Sequence, residues 1–262
     1  MLNQKMLDIL PQPDSTTCGP TCLHAVYRHF GYDIPLQQVI DEATTLKDGG
    51  GTLAVYLACH ALLRGFKTTI ITYNLQIFDP TWATASREEI AEKLTLQLDY
   101  KKHIPGFEVA THAYLNFLRL GGRLQFKVLT TALIRSYLNR SIPLLSGLSA
   151  TYLYNSAREL AEGPELVYDD IRGVSTGHFV VLAGYDKEQR RVLIADPLMP
   201  NPVSPDQHYF VDISRLMCAI MLGTLTYDGD LLAVEPPEKN HTTAGNVIST
   251  GGLKCGQPLS SR

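Results

Sequence analysis

The first half of this chain reads mainly as helices and the second mainly as strands, and that order constrains the fold more than any single motif. A short apolar lead-in over residues 5–10 ends at Pro11 and Pro13. From Cys18 to Phe30, residues Cys22, Leu23, Val26, Tyr27 and Phe30 recur at helical spacing, and Gly31 suits the stop. Pro35 opens a second helix through Leu36, Val39, Ile40 and Ala43. Gly49-Gly50-Gly51-Thr52 turns the chain into a third helix, Leu53 to Leu63, which ends near Gly65. Thr68, Thr69, Ile70, Ile71 and Thr72 are β-branched, so Phe66 to Tyr73 is expected to be a strand.

Residues 74 to about 120 read as an inserted helical segment. Ser86-Arg87-Glu88-Glu89 fits a capping box, followed by Ile90, Leu94 and Leu98 on one face. A further helix is expected over Val109 to Leu120, stopping at Gly121-Gly122. The pattern then changes. Leu124 to Leu129, Ile142 to Leu148, Gly177 to Tyr185, Arg191 to Ala195, Gly223 to Tyr227 and Leu231 to Val234 read as strands. Thr131 to Leu138 and Ile213 to Met221 read as helices between them. This predicts an α+β protein whose N-terminal helical half packs on an antiparallel sheet half, with a cleft between the halves as the natural site. Residues 1–236 form the expected domain. Residues 237–262, polar, rich in Gly, Ser and Thr and without periodicity, are expected to be a disordered tail.

Cys18 stands where the first apolar helical run begins. A cysteine at a helix start sits at the positive end of the helix dipole with its backbone N–H free to donate, and both effects favour the nucleophilic thiolate. Gln12, six residues upstream, can supply a second donor to an oxyanion. A base is available in His178, at the start of the apolar strand Gly177-His178-Phe179-Val180-Val181-Leu182. Asp196 ends the next strand, and the hairpin connection Gly184 to Glu188 brings His178 and Asp196 close to opposite each other. An aspartate there would accept the imidazole N–H and fix its tautomer.

The pattern Gln-x5-Cys-Gly-Pro-Thr, then Gly-His-Phe-Val-Val-Leu-x-Gly-Tyr-Asp, then Ile-Ala-Asp-Pro, resembles the papain-like cysteine peptidase family 39 over roughly Leu7 to Tyr227. Its best-known members are bacteriocin-processing domains that cleave leader peptides after a double glycine. The resemblance implies a papain-like fold, a triad of Cys18, His178 and Asp196, and Gln12 as oxyanion donor. Processing members are fused to a transporter. This chain carries no membrane span and no nucleotide-binding motif, and so resembles the stand-alone branch. Phytochelatin synthase is a related papain-like enzyme with similar Cys and Gly-His-Phe signals; it transfers its acyl group rather than releasing it to water.

Plainer readings compete at each residue. A cysteine in an apolar helix is usually a small core residue, and Asp196 before Pro197 is also a common turn initiator. It is the combination with Gln12 and His178 that favours catalysis. Cys18 and Cys22 lack the Cys-x-x-Cys spacing of a thiol redox pair. His24 and His29 fall on other helix faces, so no metal site is expected. The glycine run at 49–51 lacks the Gly-Lys-Ser/Thr ending of a phosphate loop. Tyr168 to Arg172 reads as a solvated loop, and Tyr152 and Tyr154 suit either sheet packing or a wall of the cleft.

Net charge is −3 with no basic stripe, so nucleic acid is not an expected partner. No apolar run approaches the ~18 residues of a membrane span. The absence of a basic-then-apolar leader and the five dispersed cysteines point to reduced thiols in the cytoplasm. The expectation is therefore a cysteine peptidase or amidase acting on a peptide or modified peptide through a thioester at Cys18, with no cofactor. Interception of the acyl-enzyme by an amine, or a catalytically silent peptide-binding module, are the alternatives.

Overall fold

A computed structural model describes residues 6–46, 51–160, 167–226 and 229–237. The expected tail and the Gly49-Gly50 turn lie outside the described residues, the tail but for its first residue. Three helices come first: α1 (Cys18–His29), α2 (Leu36–Glu42) and α3 (Ala54–Leu63). β1 (Lys67–Thr72) follows, then a 3-10 turn at Pro80–Thr84 and the paired helices α4 (Arg87–Lys101) and α5 (Phe107–Arg119). Ser86 caps α4 with the reciprocal Glu89 bond that its sequence predicts.

The remaining elements are mostly strands. They are β2 (Arg123–Gln125), α6 (Thr131–Leu138), β3 (Leu144–Ser149), α7 (Ala150–Tyr154), β4 (Glu159–Leu160) and β5 (Val167–Tyr168). After these come β6 (Gly177–Asp186), β7 (Arg191–Ala195), β8 (His208–Asp212), α8 (Ile213–Leu222) and β9 (Asp230–Glu235). Seven strands form one sheet in the order β2-β1-β9-β3-β6-β7-β8, antiparallel except for the parallel β1–β2 pair. β4 and β5 form a separate hairpin.

The sheet is covered on both faces rather than one. Phe179, Val181, Leu145, Leu232 and Ile70 face a core built with α1, α3, α4 and α5. Val180, Leu182, Leu144, Leu231 and Ile71 face a second core built with α6, α7 and α8. A strand buried on both faces needs apolar residues at successive positions, which is why residues 179–182 show no polar alternation. The inserted helices extend the first layer outward: α5 packs on α3, and α4 packs on α5.

Two expected strands differ. Gly223–Thr226 is a 3-10 turn. A Cβ on Gly223 would lie 2.9 Å from the Gly147 carbonyl oxygen, so this turn lies directly against β3. Leu124 to Leu129 pairs only over Arg123–Gln125; the chain then leaves the sheet edge, with Val128 exposed, to reach the Thr130 cap of α6.

Asp230, at the start of β9, is buried and accepts a hydrogen bond from the Tyr114 hydroxyl at 2.8 Å. Burial pushes its carboxyl up to about 6. The folded value lies above the unfolded one, so this group favours folding below ~3.9 and that contribution is lost as pH rises through about 6. Asp230→Asn is therefore expected to raise stability near neutral pH by on the order of 1–3 kcal/mol and to change little near pH ~4. Thermal melts at the two pH values check this.

Candidate active site

Cys18 occupies the first position of α1, after Thr17. The preceding loop is closed by its own hydrogen bonds: Asp14 Oδ1 accepts from the Thr16 N–H and hydroxyl, both at 2.8 Å. The loop is also stitched to the far end of the sheet, because the Gln12 N–H donates to the Pro197 carbonyl at 2.8 Å. α1 lies directly against β6. A Cβ on Gly19 would stand 2.5 Å from Thr52 Cγ2 and 3.3 Å from the Phe179 ring. Cys22, one turn below Cys18 and wholly buried, donates its thiol to the Phe179 carbonyl at 3.3 Å.

His178 is the second residue of β6 and pairs with Leu148 of β3. β7 pairs Val181 with Ala195; continuing that register sets Asp196 beside Val180, two residues from His178 and on the same face. The two side chains meet diagonally, with His178 Nε2 2.8 Å from Asp196 Oδ1. Nε2 is so engaged, and the other ring nitrogen is left for Cys18, which lies near enough for thiol and imidazole to perturb each other. All three residues are buried.

The electrostatics of the three are coupled. Burial alone would push the Cys18 thiol up, but the hydrogen bond and charge of His178, with donors from the Phe179 and Gly19 backbone, bring it below the usual thiol value. Burial would likewise push His178 down, yet the Asp196 charge and hydrogen bond, with Cys18, raise it to about 10. Asp196 is held below the ordinary carboxylate range: His178, Tyr209 and the Leu198 N–H outweigh its burial. These directions favour the thiolate–imidazolium form of the pair over the neutral one. Cys22 goes the other way, its thiol pushed well up by burial and by the neighbouring Cys18 and Asp196 charges. It is a buried core thiol.

Gln12 differs from its three expected companions. Its Nε2 donates to the Asp14 carbonyl at 2.8 Å within its own loop, and its Oε1 is buried with no partner among the described residues. Two tyrosines join the site instead. The Tyr154 hydroxyl of α7 donates to Asp196 Oδ2 at 2.8 Å, and the Tyr209 hydroxyl of β8 donates to the same oxygen at 2.6 Å. Tyr154 had two sequence readings, packing or cleft wall, and Tyr209 lies in a strand that was not anticipated. The sequence signal for it is the strand-forming run Tyr209-Phe210-Val211; in the structure Tyr209 and Val211 are buried and Phe210 is exposed.

Tyr168, expected in a loop, ends β5; Asp169 to Arg172 is a turn, tied by the Asp169–Arg172 ion pair at 2.7 Å. Among the described residues no group of three or more His, Cys, Asp or Glu could hold a metal ion, and the four described cysteines are free. Nor is any described helix long and apolar enough to cross a membrane.

No protein-family model matches the chain, and no curated protein matches it by sequence. Among solved structures, the chain is similar to the peptidase domain of Streptococcus ComA, a bifunctional ABC transporter involved in a quorum-sensing pathway. The identity is 16%, the TM-score is 0.40, and 88% of this chain and 98% of that one are covered. It is also similar to a protein of Bacillus anthracis described as a C39-like peptidase, at 14% identity and a TM-score of 0.45, over 90% of this chain and 100% of that one.

The tight seat of α1 on β6 has a measurable consequence. Gly19→Ala is expected to push α1 off Thr52 and Phe179, costing about 1–3 kcal/mol by overpacking and slowing alkylation of Cys18. Denaturant unfolding together with intact-mass kinetics checks both effects.

Proposed function

We propose that this chain is a cysteine peptidase or amidase that cleaves a peptide or amide bond through a thioester at Cys18. The observation that carries the reading is the buried grouping of Cys18, at the first position of a helix, with His178, whose Nε2 lies 2.8 Å from Asp196 Oδ1. A core cysteine needs neither an imidazole partner nor a carboxylate behind it.

In this reading the Cys18 thiolate attacks the substrate carbonyl carbon. The oxyanion that forms takes the Cys18 backbone N–H, one of the helix-start donors without an intrahelical acceptor. Gln12 Nε2 carries two N–H groups; one is used by Asp14, and the second is the proposed partner donor. The His178 imidazolium gives its proton to the leaving amine, which departs as the thioester forms. It then takes a proton from water, which releases the acid and restores the thiol pair. Asp196 holds the imidazole in its tautomer throughout and is itself never protonated.

The pH dependence follows from the directions of the shifts. The thiolate forms below the usual thiol range, and the imidazolium persists until about pH 10. Alkylation of Cys18 by iodoacetamide is therefore expected to stay fast well below the ~8.5 of a free thiol, and to fall to an ordinary rate in His178→Ala. Cys18→Ala should abolish hydrolysis with little loss of stability. Asp196→Asn should keep the fold and lower turnover by roughly 10²-fold or more. Labelling of Cys18 no faster than an ordinary thiol, in the intact wild-type protein, would rule out the activated pair.

A further inference from the structure

Asp196 is enclosed by donors. Oδ1 accepts from His178 Nε2 at 2.8 Å and from the Leu198 N–H at 2.9 Å. Oδ2 accepts the hydroxyls of Tyr154 at 2.8 Å and Tyr209 at 2.6 Å. An ionised carboxylate has about four lone-pair sites, and all of them are used. A protonated acid would lose one acceptor to its own hydrogen, so this pocket is built for the charged form.

Orienting an imidazole requires only Oδ1. The two phenols on Oδ2 come from separate parts of the fold, α7 on the flank of β3 and β8 at the sheet edge. Space-filling would be served as well by phenylalanine. Tyr154 also places its ring beside that of His178, with centroids 6.1 Å apart, so it touches both members of the pair. The titratable groups that face the pair are Cys18 and Cys22 from α1, Tyr154 from α7 and Tyr209 from β8.

We propose that Tyr154 and Tyr209 are positioning residues, whose hydroxyls anchor Oδ2 so that Oδ1 stays turned to His178 Nε2 and the imidazole stays on Cys18. This rests on the reading of Cys18, His178 and Asp196 as a catalytic triad. With both hydroxyls gone, Oδ2 is a buried acceptor without partners; the carboxylate turns or draws in water to satisfy it, and its bond to Nε2 weakens. The imidazolium then loses support and gives up its proton at lower pH.

The test is a titration of His178 by imidazole 15N NMR in wild type, Tyr154→Phe, Tyr209→Phe and the double variant, with His178→Ala to assign the signal. Phenylalanine keeps the ring packing and removes only the hydroxyl. In the double variant the His178 midpoint should fall by on the order of one pH unit, about tenfold in the imidazolium equilibrium, with smaller shifts in each single variant. Cys18 alkylation at neutral pH should slow by roughly tenfold in parallel, while the thermal melt stays cooperative. A merely structural role would lower the melting temperature and leave the His178 midpoint unmoved, and that result overturns the proposal. Should the double variant fail to fold, unmoved midpoints in both single variants overturn it as well. The NMR titration reads the His178–Asp196 bond whether or not the protein turns over. An inactive wild type with normal His178 coupling would thus defeat the catalytic reading, whereas an unmoved midpoint in an active protein defeats only the positioning role.

Discussion

A carboxylate with no exposed surface stays charged only if the fold brings donors to it, and much of this structure can be understood as what that requires. Asp196 lies just past the end of β7, and its four hydrogen bonds come from β6, from its own corner, from α7 and from β8. Two of these donors come from outside the hairpin that carries His178 and Asp196. The β3–α7 corner has to fold back over the sheet end for Tyr154 to arrive, and β8 has to pair with β7 for Tyr209 to arrive. The charge assembled in this way is what lifts the affinity of His178 for its proton, and His178 in turn holds down that of Cys18. The chemistry at one end of the chain is thus coupled to packing at the other.

The second constraint is the approach of α1 to β6. A helix start is useful to a thiolate only where it lies against the base, and here the two elements touch through Gly19, Cys22 and Phe179. A β-carbon at position 19 or a bulky side chain at position 22 would open that contact. Pro20, inside the first turn of α1, costs nothing there because its missing N–H would have had no intrahelical partner.

Cys18, His178 and Asp196 were legible because each sits in a local pattern that announces its element: a helix start, the head of an apolar strand, and the end of the next strand. The hairpin between β6 and β7 then dictated the proximity of His178 and Asp196. The α4 cap was legible for the same reason, being set within four residues. What could not be seen was whatever depends on distant packing. The run 179–182 marks a buried strand, but nothing in it says which helices cover each face. Gly223 to Tyr227 has strand composition, yet its described part is a 3-10 turn lying against β3. β8 was not anticipated, because its short run Tyr209-Phe210-Val211 follows the polar Gln207 and His208, which look like loop residues; His208 Nε2 in fact donates to the Leu7 carbonyl at 2.8 Å, tying the N-terminal lead-in to the sheet edge. The tyrosines on Asp196 were hidden for the same reason. A tyrosine carries no local mark of what its hydroxyl will find.

The place of β9 has a consequence for how such a molecule comes into being. It is the last described strand in the chain, yet it stands between β1 and β3, so it joins the strand that follows the first three helices to the strands that carry His178 and Asp196. Until residues 230–235 have left the ribosome, the sheet exists only as two unjoined pieces, each with an apolar edge waiting for the same partner. Long-range pairing of this kind is slow, because β9 must find two edges that lie far back in the sequence. The sheet that frames Cys18 is therefore joined only once residues 230–235 are available, by a strand that contributes no side chain to the site.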